Sequence, residues 1–249
     1  MKAAFRSRLR DRDLLIGTMI TLTTPETAEI LAKAGFDWLF LDGEHGVFGA
    51  PELQAVIGRV GHMIPCIVRV PTNEEVTIKK ALDVGATGII VPQVNSSSAA
   101  ERAVQLCKFP PEGTRGVGLG RAYGYGWSFN DYVNKANENI AVIVQAEHVE
   151  AVENINEIAG VTGVDGVLVG PYDLSASLGK MGEVNHPYVV KAIDHIAEVC
   201  HEADVPLGIF GTDAEAVKPY IDKGFTLIIA GTDTLMLGQS GRDMLSRLR

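Results

Sequence analysis

The chain has 249 residues, 46% of them hydrophobic, and a formal net charge of −9 at pH 7. That length and apolar content supply one large core, which suits a single α/β barrel or two small domains. The acidic balance, without a basic block, speaks against nucleic acid as a partner. No apolar stretch approaches the roughly 18 residues of a membrane span, and residues 1–13, MKAAFRSRLRDRD, lack the apolar segment of a secretory signal. Cys66, Cys107 and Cys200 are scattered and form neither a CxxC pair nor a disulfide framework. A cytoplasmic protein with buried, reduced thiols is therefore expected.

Apolar runs bounded by turn signals read as buried parallel strands. In chain order they are LLIGTMITL (14–22), DWLFLD (37–42), CIVRV (66–70), GIIVPQV (88–94), AVIVQAE (141–147), GVLVG (166–170), PLGIF (206–210) and TLIIAG (226–231). Amphipathic helical stretches lie between most of them. TPETAEILAKAG predicts a helix with Thr24 as N-cap and Pro25 at its first position, burying Ala28, Ile30, Leu31 and Ala34 and stopped by Gly35. VTIKKALDVG and AEAVKPYIDKG end in glycine in the same way, and Pro219 makes the latter short or kinked.

Eight βα units in a chain of this length predict a (β/α)8 TIM barrel, a single domain over residues 1–249. A doubly wound open sheet would need a Gly-rich phosphate loop after its first strand, and TMITLTTPET is not one. The long departure is 110–140, rich in glycine and aromatics. It is expected as an insertion at the active-site rim.

In a TIM barrel the chemistry sits at the C-terminal ends of the strands. Glu147 ends the fifth strand and Asp173 follows the sixth. Neighbouring strands lie about 4.8 Å apart, so the two carboxylates can converge as hard oxygen ligands for Mg or Mn. Either acid alone also fits a helix N-terminus. His45, beside Asp42, fits an acid/base group or a plain loop histidine. Arg69, in an apolar strand, fits a structural salt bridge or an anionic substrate. Tyr123, Tyr125, Trp127 and Phe129 alternate and fit packing of the insertion. No lysine lies within a strand-like run, so a Schiff-base aldolase is not expected and a metal would do the electrophilic work of any carbonyl chemistry.

GFDWLFLDGEHG (35–46), VRVP (68–71), ALDVGATGIIVPQV (81–94), PPEGTRGVG (110–118), VQAE (144–147) and VDGVLVGPYDLSASLG (164–179) together resemble the HpcH/HpaI aldolases. These are metal-dependent (class II) pyruvate aldolases. The resemblance implies a barrel of the phosphoenolpyruvate/pyruvate-binding type. It implies cleavage of a 4-hydroxy-2-oxo acid to pyruvate and an aldehyde, using Mg, Mn or Co. It carries metal binding to Glu147 and Asp173, acid/base work to His45 oriented by Asp42, and keto-acid and enolate binding to Arg69. Gln145 becomes a substrate contact, and Asp83 an acid lent by a neighbouring subunit. A homo-oligomer, a hexamer that exchanges its C-terminal helix, is implied as well. Tyr172 lies beside the carboxylate-binding backbone, where family members often carry a small residue. His148 and the GYGW segment also depart from the family pattern. Two alternatives stand beside this reading. One is a CoA-thioester lyase of the citrate-lyase type, with Arg115 and Arg121 as phosphate contacts. The other is a non-catalytic keto-acid-binding protein.

Overall fold

The computed structural model describes residues 4–249; the first three residues of the 1–13 segment lie outside them. Each apolar run forms a strand: β1 (Leu15–Ile20), β2 (Trp38–Asp42), β3 (Cys66–Arg69), β4 (Gly88–Val91), β5 (Ala141–Ala146), β6 (Gly166–Val169), β7 (Leu207–Gly211) and β8 (Leu227–Thr232). All pair in parallel in chain order, and β8 closes on β1. The fold is a (β/α)8 barrel, not the open doubly wound sheet. The helices are α1 (Phe5–Arg10), α2 (Pro25–Ala34), α3 (Ala50–Val60), α4 (Glu75–Asp83), α5 (Ser97–Cys107) and α6 (Phe129–Asn139) in the first half. The second half carries α7 (Val149–Glu153), α8 (Ile155–Ala159), α9 (Pro171–Ser177), α10 (Pro187–Glu202), α11 (Ala214–Ile221) and α12 (Asp233–Leu248).

Alternation along the strands divides the core in two. Leu15, Met19, Trp38, Phe40, Ile67, Ile143, Leu168 and Ile229 fill the barrel interior. Leu39, Leu41, Val68, Ile89, Val144, Val169 and Ile228 pack outward against the helices. Trp38 is fully buried beside Gly17, where a Cβ would come 2.5 Å from its ring. Residues 5–10, to which periodicity assigned no element, form α1. Phe5 and Leu9, one turn apart, plug the N-terminal end of the barrel, with the Phe5 ring 5.8 Å from that of Trp38.

Helix α2 starts at Pro25 and stops at Gly35, whose φ of 104° lies in the left-handed region that suits glycine. Thr24 stands at the N-cap but makes no side-chain cap bond; its hydroxyl shares a 2.7 Å hydrogen bond with Thr27. Ala28 and Leu31 are buried, but Ile30 is 68% exposed and Ala34 is exposed. The buried stripe is narrower than expected, and α2 packs chiefly against α3 and β2. α11 is short, eight residues with Pro219 inside.

The 110–140 segment is placed differently from the expectation. Ser96 caps α5, its hydroxyl accepting the Ala99 N–H at 3.2 Å. That helix carries the chain back to the N-terminal end of the barrel before the insertion begins. The segment therefore joins α5 to β5 and lies away from the mouth. Its aromatics divide: Tyr123 is fully buried and stacks on Phe129 at 5.8 Å, whereas Trp127 is 95% exposed.

Lys108, at the end of α5, is buried at this same end and donates to the carbonyls of Asn137 (2.7 Å) and Ile140 (2.8 Å). Burial pulls its ammonium from the ordinary 10.5 down to about 8. The unfolded chain holds this proton up to pH 10.5 and the folded chain releases it near 8, so the cost is full below 8 and vanishes above 10.5. Urea denaturation should show wild type gaining on Lys108→Met by up to about 3 kcal/mol across that window. A flat difference would mean that Lys108 is not held against its solvation.

Candidate active site

Asp42 ends β2 directly opposite Arg69, the last residue of β3. Arg69 Nε donates to Asp42 Oδ1 and Nη2 to Oδ2, each at 2.9 Å, in a buried fork. Asp42 Oδ1 also accepts the main-chain N–H groups of Glu44 (3.1 Å) and His45 (3.3 Å), which tightens the turn after β2. Glycine is required on both sides of this turn. A Cβ on Gly43 would lie 2.7 Å from the Arg69 carbonyl oxygen, and one on Gly46 would lie 2.2 Å from that of Asp42.

The expected orientation of the His45 ring by Asp42 is not what the structure builds, because both Asp42 oxygens are engaged by Arg69. The imidazole, 68% exposed, has Glu44 Oε2 at 3.7 Å, and that carboxylate also lies 3.2 Å from Arg69 Nε. Glu44 was not singled out from the sequence, although its place in DGEHG was the available signal. Burial pushes its carboxyl above the ordinary range, against the pull of Arg69 and His45.

On the far side of the barrel, Glu147 follows β5 and is 2% exposed. Its Oε1 accepts the Gln93 N–H at 2.8 Å, and the Gln145 amide donates to Oε2. Gln93 holds φ at 53°, a left-handed value uncommon for a non-glycine residue, which turns its N–H toward the acid. Gly170 covers the same group closely: a Cβ there would lie 2.8 Å from Glu147 Oε2 and 3.1 Å from Gln145 Nε2. Burial pushes the Glu147 carboxyl up to about 7; the Gln93 and Gln145 donors oppose this, and the charges of Glu44 and Asp173 add to it. Asp173 stands exposed in the first turn of α9, beside β6, the neighbour of β5.

Asp42, His45, Arg69, Gln145, Tyr172 and Asp173 line one cavity of about 310 Å³ at the C-terminal mouth. Met19, Thr21, Phe40, Leu168, Gly170 and Phe210 are among its other lining residues, and the Tyr172 and Phe210 ring centroids are 6.3 Å apart. Glu147 is not on this wall and lies behind Gln145 and Gly170. Asp83 is not at this mouth either. It ends α4 at the opposite end, where Arg115 Nη2 (2.9 Å) and the Tyr123 hydroxyl (3.2 Å) donate to its Oδ1. His148 caps α7, its Nδ1 accepting the Glu150 N–H at 3.3 Å.

The donor set fits a hard divalent cation. Two carboxylates stand at the ends of the neighbouring strands β5 and β6; among the described residues Glu147 has no salt-bridge partner and the buried Gln145 Oε1 has no hydrogen-bond partner. Among the described residues no three His, Cys, Asp or Glu side chains form a ready cage. Two carboxylates with the remaining positions left to substrate and water is the pattern Mg favours.

The sequence profile of the HpcH/HpaI aldolase/citrate lyase family matches residues 16–239. The chain belongs to this family. It is 38% identical over 251 residues to the hydroxypyruvate/pyruvate aldolase of Pseudomonas aeruginosa, covering 98% of this chain and 92% of the relative. It is 39% identical over 233 residues to the 5-keto-4-deoxy-D-glucarate aldolase of Escherichia coli O139:H28, covering 92% and 90%. An HpcH/HpaI aldolase/citrate lyase family protein from Burkholderia cenocepacia J2315 superposes with a TM-score of 0.95 at 36% identity, covering 98% of both chains. This HpcH/HpaI family member is thus an enzyme, a carbon–carbon lyase performing aldol cleavage. The CoA-thioester alternative is not favoured, and its phosphate candidates are committed elsewhere. The Arg115 side chain is fully buried against Asp83, and Arg121 donates to the Val84 (3.1 Å) and Ile57 (3.3 Å) carbonyls at two helix ends. Among the described residues no helix is long and apolar enough to cross a membrane.

Proposed function

We propose that this aldolase cleaves a 4-hydroxy-2-oxo acid to pyruvate and an aldehyde, reversibly and with a divalent metal. The observation that carries this reading is the Arg69–Asp42 fork facing Asp173 across one cavity, with Glu147 buried directly behind its Gln145–Gly170 wall. Glu147 and Asp173 hold the cation, with Mg, Mn and Co as the candidates. When bound, the cation supplies Lewis acidity at the keto oxygen. Arg69, locked by Asp42, places a fixed positive charge beside the substrate carboxylate and the developing enolate. Gln145 and Tyr172 contact the keto acid. His45 accepts the 4-hydroxyl proton, with Glu44 as the carboxylate at its ring. The C3–C4 bond then breaks, its electron pair passes into the enolate, and the former hydroxyl carbon leaves as an aldehyde. Protonation of the enolate at C3 gives pyruvate. Replacing His45 with alanine should leave metal binding intact and cost about 10²–10⁴-fold in aldol turnover, measured by pyruvate release. Unchanged turnover would remove His45 from the reaction.

Asp83 belongs, in this reading, to the mouth of a neighbouring subunit of a homo-hexamer. The C-terminal helix supports assembly: Leu235, Leu237, Met244, Leu245 and Leu248 of α12 are exposed beside a groove of about 1150 Å³. Three buried free thiols suit a reducing, cytoplasmic setting.

The deciding experiment is to incubate metal-stripped protein with pyruvate in D2O and follow the methyl protons by NMR. Proton exchange on adding Mn, Mg or Co supports enolate formation. Its absence with every cation overturns the pyruvate reading.

A further inference from the structure

The barrel seam between β1 and β8 is irregular. Its register shifts between Gly17 and Met19, Gly231 takes a φ of 70°, and the Thr18 hydroxyl bridges to the Gly231 carbonyl at 3.1 Å. Immediately beyond the seam stands Asp233, the first residue of α12 and 4% exposed. A buried carboxylate needs donors, and among the described residues no salt bridge reaches this one. Its oxygens instead accept from the Thr21 N–H (3.0 and 3.1 Å), the Thr21 hydroxyl (2.8 Å), the Leu22 N–H (2.8 Å) and the Thr234 N–H (2.8 Å). The helix does not need Asp233 as its cap, because Thr232 Oγ1 already accepts the Leu235 N–H at 3.1 Å. The carboxylate therefore acts mainly on the loop leaving β1.

That loop carries part of the site. Thr21 lines the catalytic cavity. β1 sits next to β2, which brings Asp42 and His45, and across the barrel from β5 and β6, which bring Glu147 and Asp173. The β1 side is thus the cavity wall opposite the strands that carry the carboxylate pair. We infer that Asp233 is a positioning residue that latches the β1 exit loop and sets the wall, through Thr21, against the aldehyde half of the substrate. The inference rests on the pyruvate-aldolase reading of the cavity. One consequence concerns the C-terminal helix: the first turn of α12 and the cavity wall share a carboxylate, so displacing the helix releases the wall.

Asp233→Asn tests this, because its amide places a donor among four donors. Hydrogen–deuterium exchange over residues 19–23 should accelerate about tenfold or more, the scale of one hydrogen bond to a charged group. In aldol addition of pyruvate to propionaldehyde, the aldehyde KM should rise about tenfold while pyruvate methyl exchange in D2O keeps its wild-type rate. Thr21→Val, which leaves Asp233 in place, should shift the aldehyde KM in the same direction, and Thr21→Ser should restore it. This pair decides the matter if Asp233→Asn does not fold. Wild-type amide exchange over residues 19–23, or an equal loss of pyruvate exchange and aldol addition, would overturn the latch. Absence of pyruvate exchange in the wild type would overturn the pyruvate reading of the cavity instead, and the amide exchange would still judge the latch.

Discussion

Glu147→Gln should lose metal-dependent pyruvate proton exchange by about 10²–10³-fold while remaining folded, the scale set by removing one preorganised electrostatic contact. The substitution keeps the shape of a buried side chain. Glu147 accepts from Gln93 N on one oxygen and from Gln145 on the other. A glutamine retains the first contact, and the Gln145 amide can turn its unpartnered Oε1 toward the new NH2 group. Stability should move oppositely to activity. A carboxyl held near 7 rather than 4.5 contributes stability that is full below pH 4.5 and lost as pH rises through 7. The metal-free wild type should therefore lose up to about 3 kcal/mol between pH 4.5 and 8, and the variant should not share that loss. Urea denaturation at the two pH values reads this difference. A thermal-shift titration should show Mn stabilising only the wild type. Metal-dependent exchange at the wild-type rate in the variant would take Glu147 out of the metal site.

Arg69→Lys should be nearly as damaging, although it conserves charge. An ammonium cannot reproduce two parallel bonds to Asp42, and Asp42 also secures the turn that carries Glu44 and His45. Losing one charge-assisted bond in a buried pair should cost about 2 kcal/mol of stability. Turnover should fall by about 10²-fold because the fixed charge beside the enolate is displaced. Both can be read on one sample, by urea denaturation and by pyruvate release. A stability loss with wild-type kcat and pyruvate affinity would assign Arg69 to structure alone.

The expectation for Glu147 and Asp173 rests on a one-dimensional signal: an acid closing or closely following each of two successive apolar runs. Arg69 was visible for a related reason, as a charge inside an apolar strand. The N-terminal plug was not visible, because Phe5 and Leu9 are only two apolar residues one turn apart, and their destination is the far end of the barrel. The insertion lies at the end opposite to the expected one, because composition cannot tell a strand-to-helix connection from a helix-to-strand one. Helix α5, between β4 and the insertion, decides between them.

Sequence alone therefore determined the eight-strand alternation, the parallel barrel it builds and the end at which its polar residues gather, since all three follow from local periodicity and chain order. Only the tertiary structure decided which groups meet. It paired Asp42 with Arg69 instead of the His45 ring, brought Glu44 to the imidazole, aimed the Gln93 N–H at Glu147 and tied Asp233 to Thr21. The last contact spans 212 residues. Such contacts depend on barrel closure and register, which bring distant residues within hydrogen-bonding distance and which no local pattern encodes.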